Sequence, residues 1–81
     1  MSPTRQELIA QLRTMYAQVL EYPAEIVTSD IDLEAELGLD SLQHRLVMAR
    51  VMDRFHFTPK DHDQPTPLTV EAIADQLLNA T

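Results

Sequence analysis

Ser41 is the side chain whose type and setting best suit chemistry in this sequence. It follows Asp40 where an apolar periodicity of helical spacing begins. Asp40 reads as an N-cap, with Gln43 three residues later as its capping-box partner. A hydroxyl there stands where backbone N–H groups are unpaired and the helix carries about half a positive charge. A phosphate ester on Ser41 would be stabilised at that end. Gly38, the only glycine in the chain, lies just upstream and marks a backbone that needs conformational freedom or close approach. The competing reading of Ser41 is a plain helix-start serine.

Other constellations carry less. Asp30, Asp32, Glu34 and Glu36 alternate as calcium ligands do, but a calcium loop starting at Asp30 needs glycine at its sixth position and glutamate at its twelfth. Ala35 and Ser41 stand there. Ser41 and His44 are three apart on a helix, as a nucleophile and base could be. No nucleophile-elbow pattern accompanies them. His56 and His62, with Asp61 and Asp63, read as surface residues of a polar turn rather than metal ligands. Met15, Met48 and Met52 read as core or interface.

Three amphipathic segments must position Ser41. The first runs from about Arg5 to Leu20, with Leu8, Leu12, Met15 and Val19 at helical spacing and Ile9, Tyr16 and Leu20 beside them. Thr4 and Glu7 read as its capping box, and Pro23 bars continuation soon after Glu21. The second runs from about Ser41 to Phe55, with Val47, Met48, Val51 and Phe55 on one side and His44 on the same side near its start. The third runs from about Val70 to Asn79. Thr69 is its expected N-cap, and Leu68 and Ile73 occupy hydrophobic-staple positions. Pro59, Pro65 and Pro67 punctuate the second connection, which has room for one short helical turn near Asp61–Gln64. The first connection, about Tyr22 to Leu39, is long, with Ile26, Val27, Ile31, Leu33, Leu37 and Leu39 as expected pins. No convincing strand pattern appears. The expectation is a small all-α four-helix bundle, three main helices and one short, with a long first loop.

Composition narrows the function. Eighty-one residues suit one small domain with a modest core and little room for a walled catalytic pocket. No cysteine is present, which excludes disulfides, thiolate metal sites and a cysteine nucleophile. No apolar run approaches the roughly 20 residues of a membrane span, and no secretory pattern opens the chain, so a cytoplasmic protein is expected. The net charge is −7. Glu21, Glu25, Asp30, Asp32, Glu34, Glu36 and Asp40 account for all of it, and no lysine or arginine lies between Arg13 and Arg45. Nucleic-acid binding through phosphates is not expected; a basic or amphipathic protein partner is.

Gly38-Leu39-Asp40-Ser41-Leu42 resembles the Gly-x-Asp-Ser-Leu signature of acyl carrier proteins. The resemblance covers nearly the whole chain: first helix, long acidic loop, Asp-Ser-Leu at the second helix, short third helix and final helix. Phe55 falls where the family closes its second helix with an aromatic. The resemblance implies 4′-phosphopantetheine on Ser41, placed there from coenzyme A with Mg²⁺ by a phosphopantetheinyl transferase. Asp40, Gly38 and Leu42 shape the attachment site. The arm's thiol then carries an acyl group as a thioester, which suits a chain without cysteine. The implied carrier is expected to perform no chemistry of its own and to be a monomer. Its implied partners are acyl-loading and acyl-processing enzymes such as a ketosynthase, acyltransferase or ligase.

Leu42, Arg45, Leu46, Ala49 and Asp53 cluster beside Ser41 on a side of the second helix away from Val47 and Val51. Leu42, Arg45, Leu46 and Ala49 are the expected partner face; packing of the leucines on the first loop is the alternative. The segment departs from fatty-acid carriers, whose second helix is typically acidic. Here His44, Arg45, Arg50 and Arg54 stand against Asp53 alone. Arg50 and Arg54 also fit a solvated stripe with Gln43. The departure points to polyketide or mixed polyketide–peptide biosynthesis. A peptidyl carrier is the close alternative, with Asp40 favouring the acyl kind; an unmodified helical adaptor is the competing class. Met1, a few residues before the first helix, favours a discrete protein.

Overall fold

The computed structural model describes residues 3–56, 65 and 67–79. They hold α1 (Arg5–Leu20), α2 (Leu33–Leu37), α3 (Ser41–Phe55) and α4 (Val70–Asn79). No strand occurs among the described residues. The three main helices have the bounds that the apolar periodicity gives. The short helical turn expected near Asp61–Gln64 lies outside the described residues. A short helix does occur inside the first loop, where none was expected: α2.

The core forms around α1, which packs against both α3 and α4. Leu8, Leu12, Met15, Tyr16 and Ala17 face Val47 and Val51 of α3 and Val70, Ile73, Ala74 and Leu77 of α4 in one buried cluster. Burial of each such leucine or valine contributes about 1.5–3 kcal/mol. Thr4 caps α1 by accepting from the Glu7 N–H at 3.1 Å. Only that half of the expected Thr4–Glu7 box forms among the described residues. The helix closes with Glu21 at φ +62°, the Tyr22 N–H donating to the Ala17 carbonyl at 3.0 Å and the Glu21 N–H to Gln18. This is a Schellman closure, in which a left-handed residue satisfies the last carbonyls.

Two turns follow Pro23, closed by Ile26 N–H to the Pro23 carbonyl and Val27 N–H to the Ala24 carbonyl. Arg13 of α1 fastens them, donating from Nε to the Val27 carbonyl and from Nη2 to Ala24. Val27 thereby points inward and is fully buried. Ile26, expected as a pin, points out and is 43% exposed. Neighbouring residues of a turn cannot both face the core. Val27, Leu33 and Leu39 are the buried pins, with Ile31 and Leu37 packed partly against them.

Five residues make α2 too short to hold by propensity alone. Its ends are fixed locally. Asp32 Oδ1 accepts from the Glu34 and Ala35 N–H groups, and Gly38 closes the other end at φ +71°. The starts of α2 and α4 also bind each other. The Leu33 N–H donates to the Leu68 carbonyl at 2.8 Å, and the Glu71 N–H to the Ser29 carbonyl at 3.1 Å. Thr69 Oγ1 accepts from the Ala72 N–H, as expected of the N-cap. Arg5 and Asp75 join α1 to α4 across a half-exposed ion pair at 2.8 Å, which solvent screening keeps weak.

Candidate functional site

The start of α3 is held by reciprocal hydrogen bonds. The Asp40 carboxylate accepts from the Gln43 N–H at 2.7 Å, and Gln43 Oε1 accepts from the Asp40 N–H at 3.0 Å. Gln43 therefore belongs to the cap and not to a solvated stripe with Arg50 and Arg54. Those two arginines line an open cleft against Gln11, Thr14 and Gln18 of α1. Gly38 supplies the left-handed turn that brings the chain into Asp40. A Cβ on Gly38 would meet nothing within 4 Å, so the position requires backbone freedom and not close approach.

Ser41 occupies the first position of this fifteen-residue helix and is exposed. Among the described residues no group hydrogen-bonds its side chain, and the N–H groups of Ser41 and Leu42 have no partner. The first i to i−4 bond is His44 N–H to the Asp40 carbonyl. The other described serine, Ser29, is half-buried in the first loop. A hydroxyl with no internal partner, beside open first-turn N–H groups, is reachable and suits a bound phosphate ester.

Ser41 and His44 are not brought together as a nucleophile and base. His44 turns toward the core, where its Nδ1 lies 2.9 Å from the Tyr16 hydroxyl. The two rings stack with centroids 6.2 Å apart and planes 16° apart. Burial pushes the Tyr16 phenol above its ordinary pKa and pulls His44 below its own, so both are neutral at neutral pH. The apolar periodicity puts each residue on the core side of its own helix but carries no sign of the bond between them. His44 stands (i, i+3) from the serine, and nothing local in the sequence shows Tyr16 opposite it.

The acids of the first loop have structural duties of their own. Asp30 accepts from Thr28 Oγ1, and Asp32 caps α2. Among the described residues no group of three or more acidic or histidine side chains could hold a metal ion. His56 is the left-handed cap of α3, at φ +60°, while Asp61, His62 and Asp63 lie outside the described residues. On the outer side of α3, Leu42 is 74% and Leu46 46% exposed, with Arg45 exposed between them and Ala49 exposed in the next turn. The leucines thus do not pack under the first loop.

A family model described as the phosphopantetheine attachment site matches residues 10–77. The chain belongs to this family. No protein of curated function and no solved structure shows a significant match. The family's domain is the attachment site of the 4′-phosphopantetheine prosthetic group, and membership agrees with the acyl-carrier resemblance of the Gly38–Leu42 motif. The protein is therefore a phosphopantetheine-carrying carrier, a class that is typically non-catalytic. Among the described residues no helix is long and apolar enough to cross a membrane.

Proposed function

We propose that this protein is an acyl carrier whose Ser41 takes the 4′-phosphopantetheine arm and presents acyl thioesters to partner enzymes. The supporting observation is the setting of Ser41: an exposed hydroxyl without a hydrogen-bond partner among the described residues, at the capped first turn of α3, inside the family match. In the modification step, catalysed by a phosphopantetheinyl transferase with Mg²⁺, Ser41 Oγ attacks the coenzyme A phosphorus that bears the pantetheine arm. An O–P bond forms, the anhydride bond breaks, adenosine bisphosphate leaves, and the hydroxyl proton passes to a base of the transferase. The arm supplies the thiol that this chain lacks. Asp40 and Gly38 hold the first turn in place, and Leu42 flanks the attachment point.

Incubating the purified protein with coenzyme A, Mg²⁺ and a promiscuous transferase, then taking an intact mass, tests this. One phosphopantetheine adduct on the wild type and none on Ser41→Ala is expected. Absence of an adduct, or an adduct that survives Ser41→Ala, would sink it and leave the unmodified adaptor.

Leu42, Arg45, Leu46 and Ala49 form the partner face of this reading, two exposed leucines around a cation. That chemistry fits partner surfaces with an apolar seat and carboxylates rather than basic patches. It favours ketosynthases, acyltransferases or ligases of polyketide or hybrid specialised-metabolite assembly, in the cytoplasm, over fatty-acid synthesis. Asp40 before the serine favours an acyl over a peptidyl carrier. Arg45→Glu should slow acyl transfer with cognate enzymes about tenfold, at unchanged helical content; unchanged kinetics would remove Arg45 from the face.

A further inference from the structure

The Tyr16–His44 pair is a polar contact inside an otherwise apolar seam. Tyr16 is fully buried among Leu8, Leu12, Val47 and Val51, and His44 is half-buried beside it. The phenol hydrogen needs an acceptor, and among the described residues His44 Nδ1 is the one it has. The tautomer with its proton on Nε2 leaves Nδ1 free to accept from the phenol and satisfies both groups. An apolar pair would fill the same space. It would leave α3 free to slide or turn on α1 within the tolerance of side-chain packing, whereas a hydrogen bond of 2.9 Å between stacked rings fixes both height and rotation.

The pair is tied to the serine through the backbone. The His44 N–H is bonded to the Asp40 carbonyl, and Asp40 caps Gln43. Ser41 lies between them in sequence, about 4.5 Å along the helix axis from His44. The first turn of α3 is thus anchored to α1 by a side chain on its inner face, while Ser41 and Leu42 stand on its outer side.

We propose that Tyr16 and His44 form a positioning latch that sets the pose of the first turn of α3 and so the way Ser41 is offered to the modifying transferase. This rests on the Ser41 reading. Both residues act through the helix and neither touches the incoming cofactor.

The test uses the full chain in four forms: wild type, Tyr16→Phe, His44→Phe and His44→Asn. Tyr16→Phe removes the donor, and His44→Phe removes the acceptor while keeping a ring. His44→Asn keeps an acceptor, Oδ1, near the place of Nδ1. Two readouts are taken well below each variant's melting temperature: kcat and KM for phosphopantetheine transfer, and amide hydrogen exchange across Ser41–Val47. The latch predicts a loss in kcat of about tenfold for Tyr16→Phe and His44→Phe at near-constant KM, because misplacing a reacting group acts on the chemical step. Amide protection from Gln43 to Val47, where the N–H groups are bonded, should fall in the same two variants. His44→Asn should recover both readouts to within about threefold. Equal kcat in all four forms, a loss confined to KM, or no recovery in His44→Asn overturns the latch. A wild type that takes no adduct refutes the Ser41 reading instead. Hydrogen exchange alone then decides the latch, and unchanged protection in Tyr16→Phe and His44→Phe overturns it.

Discussion

Three helices of this protein end in a left-handed residue, and they do so with different materials. At the end of α2 the residue is Gly38; at the ends of α1 and α3 it is Glu21 and His56. Glycine adopts that backbone without steric cost, while other residues lose roughly 1–2 kcal/mol there. The chain's single glycine therefore sits at the turn that leads into Ser41, while the caps remote from it bear strain. Glu21 also places a negative charge at a helix C-terminus, where the macrodipole favours the opposite sign. Local strain is tolerated where a helix merely ends and is absent where the backbone must deliver the serine.

The comparison can be broken at either end. Gly38→Ala should destabilise the fold by about 1–2 kcal/mol, since the space around Cβ is open and the cost is purely that of the backbone. Urea unfolding measures it; a loss below about 0.3 kcal/mol would mean that the turn adapts and glycine is not required there. The smaller effect is the reverse exchange. Glu21→Gly should stabilise by about 0.5 kcal/mol, the relief of left-handed strain and charge being partly offset by the freer unfolded chain. A destabilised Glu21→Gly protein in the same assay would show that the Glu21 side chain does more than cap.

Much of this arrangement was legible in the residues. The three long helices follow from apolar periodicity, and the Asp40–Gln43 box from two residue types at the right spacing. What stayed hidden shares a cause. The five residues of α2 are too few to show a period, and their helix depends on the Asp32 and Gly38 caps and on burial of Leu33. Ile26 and Val27 are equally apolar, and only Arg13 reaching the carbonyls of the turn decides which faces inward. The Thr4–Glu7 pattern promised two bonds and gave one, because an exposed glutamate side chain gains little by returning to the backbone. Tyr16 and His44 each fit a core stripe on their own helix, and their bond exists only once α1 and α3 are side by side. Ser41 was readable because its setting is almost wholly local.

The crossed backbone bonds between the starts of α2 and α4 bear on the order of assembly. Leu33 to Leu68 and Ser29 to Glu71 join groups roughly 40 residues apart along the chain. Contacts of that separation form only after the intervening chain has been closed up, whereas the α3 capping box is local and α3 packs on α1, which precedes it in the chain. During synthesis the helix bearing Ser41 can therefore exist before α4 has been made. The part of the acidic loop around Ser29 and Leu33 gains these two bonds only when the last helix arrives. In a growing chain, the serine and the groups that hold its turn are made before the helix that completes the acidic loop.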